Sequence, residues 1–173
     1  MGRTARAVWS AIAAVSVLFT AACGGGDAVD TPTSVGDTVT TTVLREGASE
    51  AEKVAVIRLC QQVITSAGVM VRDYNTFIKR LNKVQDYKAI GSEDQWAIET
   101  LNTGAELVRK AVAPDVPSDV DDEVQRFVTS SERLAEQIQG KRRDALNRVS
   151  KDWSKDRTTL LDTCSEYLPA GGN

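Results

Sequence analysis

The chain has 173 residues, three cysteines, no histidine and a formal net charge of −3, a length that fits one domain of ordinary size. Without histidine there is no Ser-His-Asp or Cys-His nucleophilic pair and no imidazole metal site, and the commonest general base near neutral pH is missing. Three cysteines are one short of a cysteine-only structural zinc site, so composition argues against an enzyme and against a resident metal or cofactor.

Residues 1–22 open with Arg3 and Arg6, run through an apolar stretch from Ala7 to Phe19, and close on Thr20, Ala21 and Ala22. A basic start, a short apolar stretch and a small-residue end describe an export signal. The stretch is shorter than the roughly 20 residues that span a bilayer. Arg3 and Arg6 are not adjacent, which leaves a twin-arginine route without support, and no later stretch reads as apolar enough for a second span. The run Phe19-Thr20-Ala21-Ala22-Cys23-Gly24 resembles the lipobox of bacterial lipoprotein precursors. Its glycine-rich entry into a threonine-rich stretch is similar to that of actinobacterial members. The resemblance implies a diacylglyceryl group on the Cys23 sulfur, cleavage between Ala22 and Cys23, and a chain anchored to the cell membrane facing outside the cytoplasm. Thr20 stands where such boxes carry leucine or another aliphatic. An ordinary secretory signal, cut after the same small residues, is the alternative.

Residues 23–48 read as the lipidated cysteine followed by a disordered tether. Three glycines lead into six threonines and Pro32, with too few large apolar side chains to bury a core. About 25 such residues reach roughly 25–30 Å root-mean-square. The composition also suits O-glycosylation. Thr38 to Val43 could form a short strand, but they have no evident pairing partner.

From Ser49 the apolar spacing becomes helical, and residues 49–168 read as one helical domain. Ser49 and Glu52 form a capping-box pattern. Ile57, Cys60, Ile64, Ala67, Val71, Tyr74, Ile78 and Leu81 then alternate at intervals of three and four. Val56, Val63, Met70, Phe77 and Val84 widen that stripe on one side. This predicts a first helix over about 50–87, with Gly68 as a weak point. Ser92 and Gln95 suggest a second capping box, and Ile98, Leu101, Ala105, Val108 and Val112 carry a stripe up to Pro114 and Pro117. A third helix is expected from a Ser118 cap through Val120, Val124, Phe127, Ser131, Leu134 and Ile138, with Gly140 as its stop. A fourth carries Leu146, Val149, Trp153, Leu160, Leu161, Cys164 and Leu168, with Asp144 as its expected cap. Lys141, Arg142 and Arg143 are unfavourable at a helix N-terminus and are assigned to the preceding helix end or loop. Residues 169–173 read as a disordered tail. Four amphipathic helices with short connections predict an all-α, antiparallel four-helix bundle.

With Cys23 assigned to the anchor, Cys60 and Cys164 remain as an even pair in an exported chain. Both lie on apolar stripes, and an up-down-up-down bundle brings their helix ends together, so a structural disulfide is expected. A redox-active pair would favour closer spacing and exposure.

Three further groups are candidate sites. Asp115, Asp119, Asp121, Asp122 and Glu123 crowd the connection before the third helix, but an EF-hand would need glycine at position 124 and glutamate at position 130, where Val124 and Ser130 stand. A solvated acidic helix start explains them better. Lys141, Arg142 and Arg143, with Arg148 and Lys151, could meet an anionic envelope polymer or an envelope protein, or could form a plain solvated surface. Nucleic acid is a poor partner for an exported, acidic chain. Trp96, Trp153, Tyr74, Phe77 and Phe127 fit a plain core better than a ligand pocket between helices. The resulting expectation is a non-catalytic envelope lipoprotein with a helical interaction domain; a carrier or sensor of a small apolar ligand is the alternative.

Overall fold

The computed structural model describes residues 47–168, all within the second of the chain's two units, Thr40–Asn173. The export segment, Cys23, the tether up to residue 46 and the tail from residue 169 lie outside the described residues. Among the described residues four helices follow in order, α1 Glu50–Val84, α2 Glu93–Lys110, α3 Ser118–Gln139 and α4 Arg143–Tyr167, with one 3-10 turn at Tyr87–Ala89. Among the described residues there is no strand. Each helix packs antiparallel on the next, and α4 closes back on α1 through the thinnest of the four contacts.

Helix α1 begins where the capping pattern places it. Ser49 Oγ accepts from the Glu52 amide at 3.1 Å. The reciprocal half of the box is missing, because the Glu52 carboxylate accepts from the Tyr167 hydroxyl of α4 at 3.2 Å. The helix ends at Val84, earlier than the spacing suggests, since Gln85 adopts a left-handed conformation at φ 55 and bonds its amide back to Leu81.

The buried stripe of α1 is rotated from the expected one. Val56, Leu59, Cys60, Val63, Met70 and Phe77 are fully buried, whereas Ile57 and Val71 are half-buried and Ile64 is 46% exposed. The cause is the thin α4 contact, which leaves that edge of α1 partly open. Helix α1 is also long and apolar enough to cross a membrane by length and composition alone, contrary to the reading that no later stretch qualifies. In the bundle this apolarity has another use, because the helix supplies a core face to both α2 and α4.

Three other boundaries depart from expectation. Ser92 makes no side-chain cap; instead Asp94 Oδ1 accepts from the Gln95 amide at 2.8 Å. Ser118 is the first residue of α3, and Pro117 holds the cap position. Gly140 caps α3 with ordinary right-handed geometry, and the left-handed residue is Lys141, at φ 55. Its amide bonds to Ile138 O and that of Arg142 to Gln137 O, the pairing of a Schellman turn. The expected α3 stripe is buried at all six positions.

Two glycines show how differently the same residue serves. Gly68 is exposed in α1, and a Cβ there would meet nothing. Gly104 is buried in α2, and a Cβ there would lie 2.5 Å from the Met70 methyl and 3.2 Å from its Cγ. We therefore expect Gly68→Ala to stabilise the bundle by about 0.5–1 kcal/mol through helix propensity. Gly104→Ala should instead destabilise it, because the new methyl displaces fully buried Met70 by more than the propensity gain returns. Thermal or urea unfolding of both variants checks the opposite signs.

Candidate functional site

The closure of α4 on α1 is made at three levels. About three turns into α1, Cys60 forms a disulfide with Cys164 at a Cα–Cα distance of 5.4 Å, both side chains nearly or fully buried. The Tyr167–Glu52 hydrogen bond lies beyond it, toward the first turn of α1 and the last of α4. At mid-height, the Tyr74 ring stands edge-on to Trp153 with centroids 5.5 Å apart. Trp153 Nε1 donates to Ser131 Oγ at 3.0 Å, and that hydroxyl donates to Phe127 O at 2.7 Å, so the indole N–H is satisfied inside the core. The Arg157 guanidinium lies 5.0 Å from the Trp153 ring centroid and covers its outer side. At the far end, Arg143 donates from Nη1 to Gln85 O at 3.3 Å and from Nη2 to Gln85 Oε1.

This last contact revises the expectation for Arg143. The residue opens α4, where a cation opposes the helix dipole, and Asp144 follows it inside the first turn without capping. Antiparallel packing brings the negative C-terminus of α1 to the same place, and the Arg143 guanidinium binds its end. Arg143 therefore fastens two helices, whereas Lys141 and Arg142 are both exposed and outside any helix.

Of the aromatic residues considered together, Tyr74, Phe77, Trp153 and Phe127 do meet in or beside the core, with Tyr87 6.1 Å from Phe77. Burial raises the hydroxyl pKa of Tyr74, partly offset by a hydrogen bond with Ser150, and burial also raises that of Tyr87. Trp96 departs from the group: it is 54% exposed on α2. Two concavities between helices are surface grooves. One of about 420 Å³ runs along Tyr74, Trp153 and Arg157, and one of about 220 Å³ lies between α1 and α2 with Val69 and Leu107 on its walls.

The acidic residues before and inside α3 are dispersed. Asp121 accepts from Gln125 at 3.2 Å, and Glu123 lies 3.9 Å from Arg126. Among the described residues no group of three or more carboxylate or cysteine ligands is arranged to hold a metal.

A family model described as the Rv2240c four-helix bundle domain matches residues 44–165, which spans all four helices up to the last residues of α4. The chain belongs to that family. No curated protein and no solved structure matches it. For this Rv2240c-family bundle, two contributors to the seam escape sequence reasoning, Tyr167 and the bond of Arg143 to Gln85, as does Ser131 of α3 as the acceptor for the Trp153 indole. Tyr167 had a usable signal, since it follows Cys164 by three residues on the same stripe.

The Cys60–Cys164 bridge spans 104 residues of chain at the thinnest helix contact. Chain-entropy reasoning gives up to about 4.7 kcal/mol for a loop on the order of 100 residues. Verified reduction, or the Cys60→Ala/Cys164→Ala pair, should lower the unfolding midpoint by several degrees while leaving helix content by circular dichroism unchanged in the cold. An unchanged midpoint would remove the stapling role.

Proposed function

We propose that this Rv2240c-family protein is a lipid-anchored, extracytoplasmic interaction protein without catalytic activity. In this reading residues 1–22 direct export, Cys23 carries the lipid, and the following residues tether a helical bundle that docks on another envelope component. The observation that carries it is the partition of the cysteines. Cys60 and Cys164 are joined to each other, so the only cysteine outside the bundle is the one directly after Ala22, at the end of the apolar run. A buried disulfide belongs to an oxidising compartment, which supports export. Two acyl chains on one residue meet the requirement for stable anchoring.

The docking end is the α3–α4 turn. Lys141 and Arg142 are exposed there, and the Arg143–Gln85 bond brings them beside the end of α1, which adds Lys83 and Lys88 to the same surface. This end lies away from the first residue of α1, where the tether enters. Such a group suits an anionic envelope polymer or a protein with an acidic surface. A second reading, a carrier of a small apolar ligand, draws support from the α1–α2 groove with its exposed Val69 and Leu107. Native mass spectrometry of gently extracted protein separates the two, by a protein or polymer partner on one side and a co-purifying small molecule on the other.

Two measurements test the main reading. Mass spectrometry of the membrane-extracted chain should find Cys23 as a diacylglyceryl-modified N-terminus, and Cys23→Ala should move the protein out of the membrane fraction. An unmodified Cys23, or cleavage elsewhere, overturns the anchor. Lys141→Glu with Arg142→Glu should abolish partner capture at unchanged thermal stability, with Arg143 left in place because it holds α4 to α1.

A further inference from the structure

Because α4 meets α1 through the thinnest of the helix contacts, their outer side is left as a groove of about 420 Å³, within the size range of small-molecule sites. Ser150, Ser154 and Arg157 follow one another along α4 at helical spacing and line one wall, and Lys151 lines the same groove. Val71, Tyr74 and Asn75 of α1 line the other wall. Trp153 is only 2% exposed and has the Arg157 guanidinium over its ring, so an occupant of the groove meets the guanidinium and not the indole.

The charge in this groove has one sign. Arg157 and Lys151 line it, and no carboxylate does. Asp156, next to Arg157 in the chain, lines a groove between α3 and α4 on the other flank, and Asp73, next to Tyr74, is held by Arg72 at 2.7 Å. Arg157 enters none of the ion pairs among the described residues. Its Nη2 donates to Ser154 Oγ at 3.3 Å, which leaves most of the guanidinium N–H groups open to solvent or a ligand. Burial lowers the Arg157 pKa, and no carboxylate offsets that cost. A cation held half-buried without a counter-charge favours an anion that can reach its free donors.

We infer that this groove binds a small phosphomonoester. Arg157 takes two phosphate oxygens in its fork and Lys151 takes a third. The Ser154 hydroxyl, whose oxygen accepts from Arg157, donates its own proton to the same group. Lys151 and Arg157 stand about 9 Å apart along the helix axis, a span that two long side chains close onto one tetrahedral group. Two cations without a carboxylate match the charge of a phosphomonoester, close to two at neutral pH, better than the single charge of a carboxylate. Val71 and Tyr74, both half-buried, give the organic part of the ester an apolar floor. The site uses neither Lys141 nor Arg142, so it stands independently of docking at the α3–α4 turn and of the lipid anchor.

Isothermal titration calorimetry of the full chain with phenyl phosphate tests the site, with benzoate and phenol as its carboxylate and neutral counterparts. Phenyl phosphate should bind with a Kd at or below about 1 mM, at least tenfold tighter than either counterpart. Arg157→Gln should weaken binding at least tenfold and Lys151→Gln severalfold. Arg157 also covers Trp153, so the exposed Lys151 supplies the variant that leaves the core untouched. Lys155→Gln, on the same helix but outside the groove, should change nothing. Dihexanoyl phosphatidic acid and glycerol 3-phosphate separate the two sources of the phosphate. Tighter binding of the first, lost in Arg157→Gln, supports the site with a lipid headgroup, and tighter binding of the second, lost in the same variant, supports it with a soluble ester. No binding of phenyl phosphate at about 10 mM overturns the inference. Binding indifferent to Arg157→Gln and Lys151→Gln alike overturns it too, as does benzoate or phenol binding equally well.

Discussion

The bundle depends on how α4 is closed onto α1. The other three helix pairs are joined by short connections and broad apolar contacts, whereas α1 and α4 are far apart in sequence and share the thinnest contact. Closing a chain segment of this length costs more entropy than closing the loops between sequential helices. The fold concentrates its specific interactions at this seam. A covalent bridge and a tyrosine–carboxylate bond hold one end, an edge-on aromatic pair the middle, and a guanidinium on a helix terminus the other. The bridge and the guanidinium fork fix register as well as distance, because neither tolerates much sliding.

The same seam explains the departures in α1. A helix buried equally on both flanks would have its stripe centred between its neighbours. Here α2 takes the larger share, so Val56, Val63, Met70 and Phe77 lie deepest, and Ile57, Ile64 and Val71 form the partly open edge toward α4. The high apolarity of α1 follows from serving two partners, since a helix with a wide stripe reads on composition like a membrane span.

Periodicity and turn residues made much of the fold legible. The α3 stripe could be read residue by residue because its spacing stays regular over six positions, and the Ser49 cap because Glu52 follows at the required distance. The cysteine pair could be read from topology, since antiparallel order brings the start of α1 to the end of α4. Helix ends were less legible, because their donors and acceptors are satisfied from elsewhere in the fold. Ser92 resembles a cap, but Asp94 accepts the nearby amide. Arg143 looks misplaced at the start of a helix until the C-terminus of α1 is set beside it. Trp96 fits an apolar spacing and yet lies exposed, because α2 turns its other side to the core.

Among the described residues, two outside glycine hold left-handed conformations, and their surroundings differ. Gln85, at φ 55, receives Arg143 on both its carbonyl and its side-chain oxygen, so the strain at the end of α1 is offset by the bond that closes the seam. Lys141, also at φ 55, occupies the Schellman position that glycine most often fills, one residue after an actual glycine. Its conformation costs on the order of 1 kcal/mol relative to glycine. Its backbone completes the turn, but glycine would complete it equally well, and among the described residues its side chain enters none of the ion pairs. Stability therefore accounts for Gln85 and not for Lys141. What the lysine adds is an exposed charge held at the apex of the turn, next to Arg142.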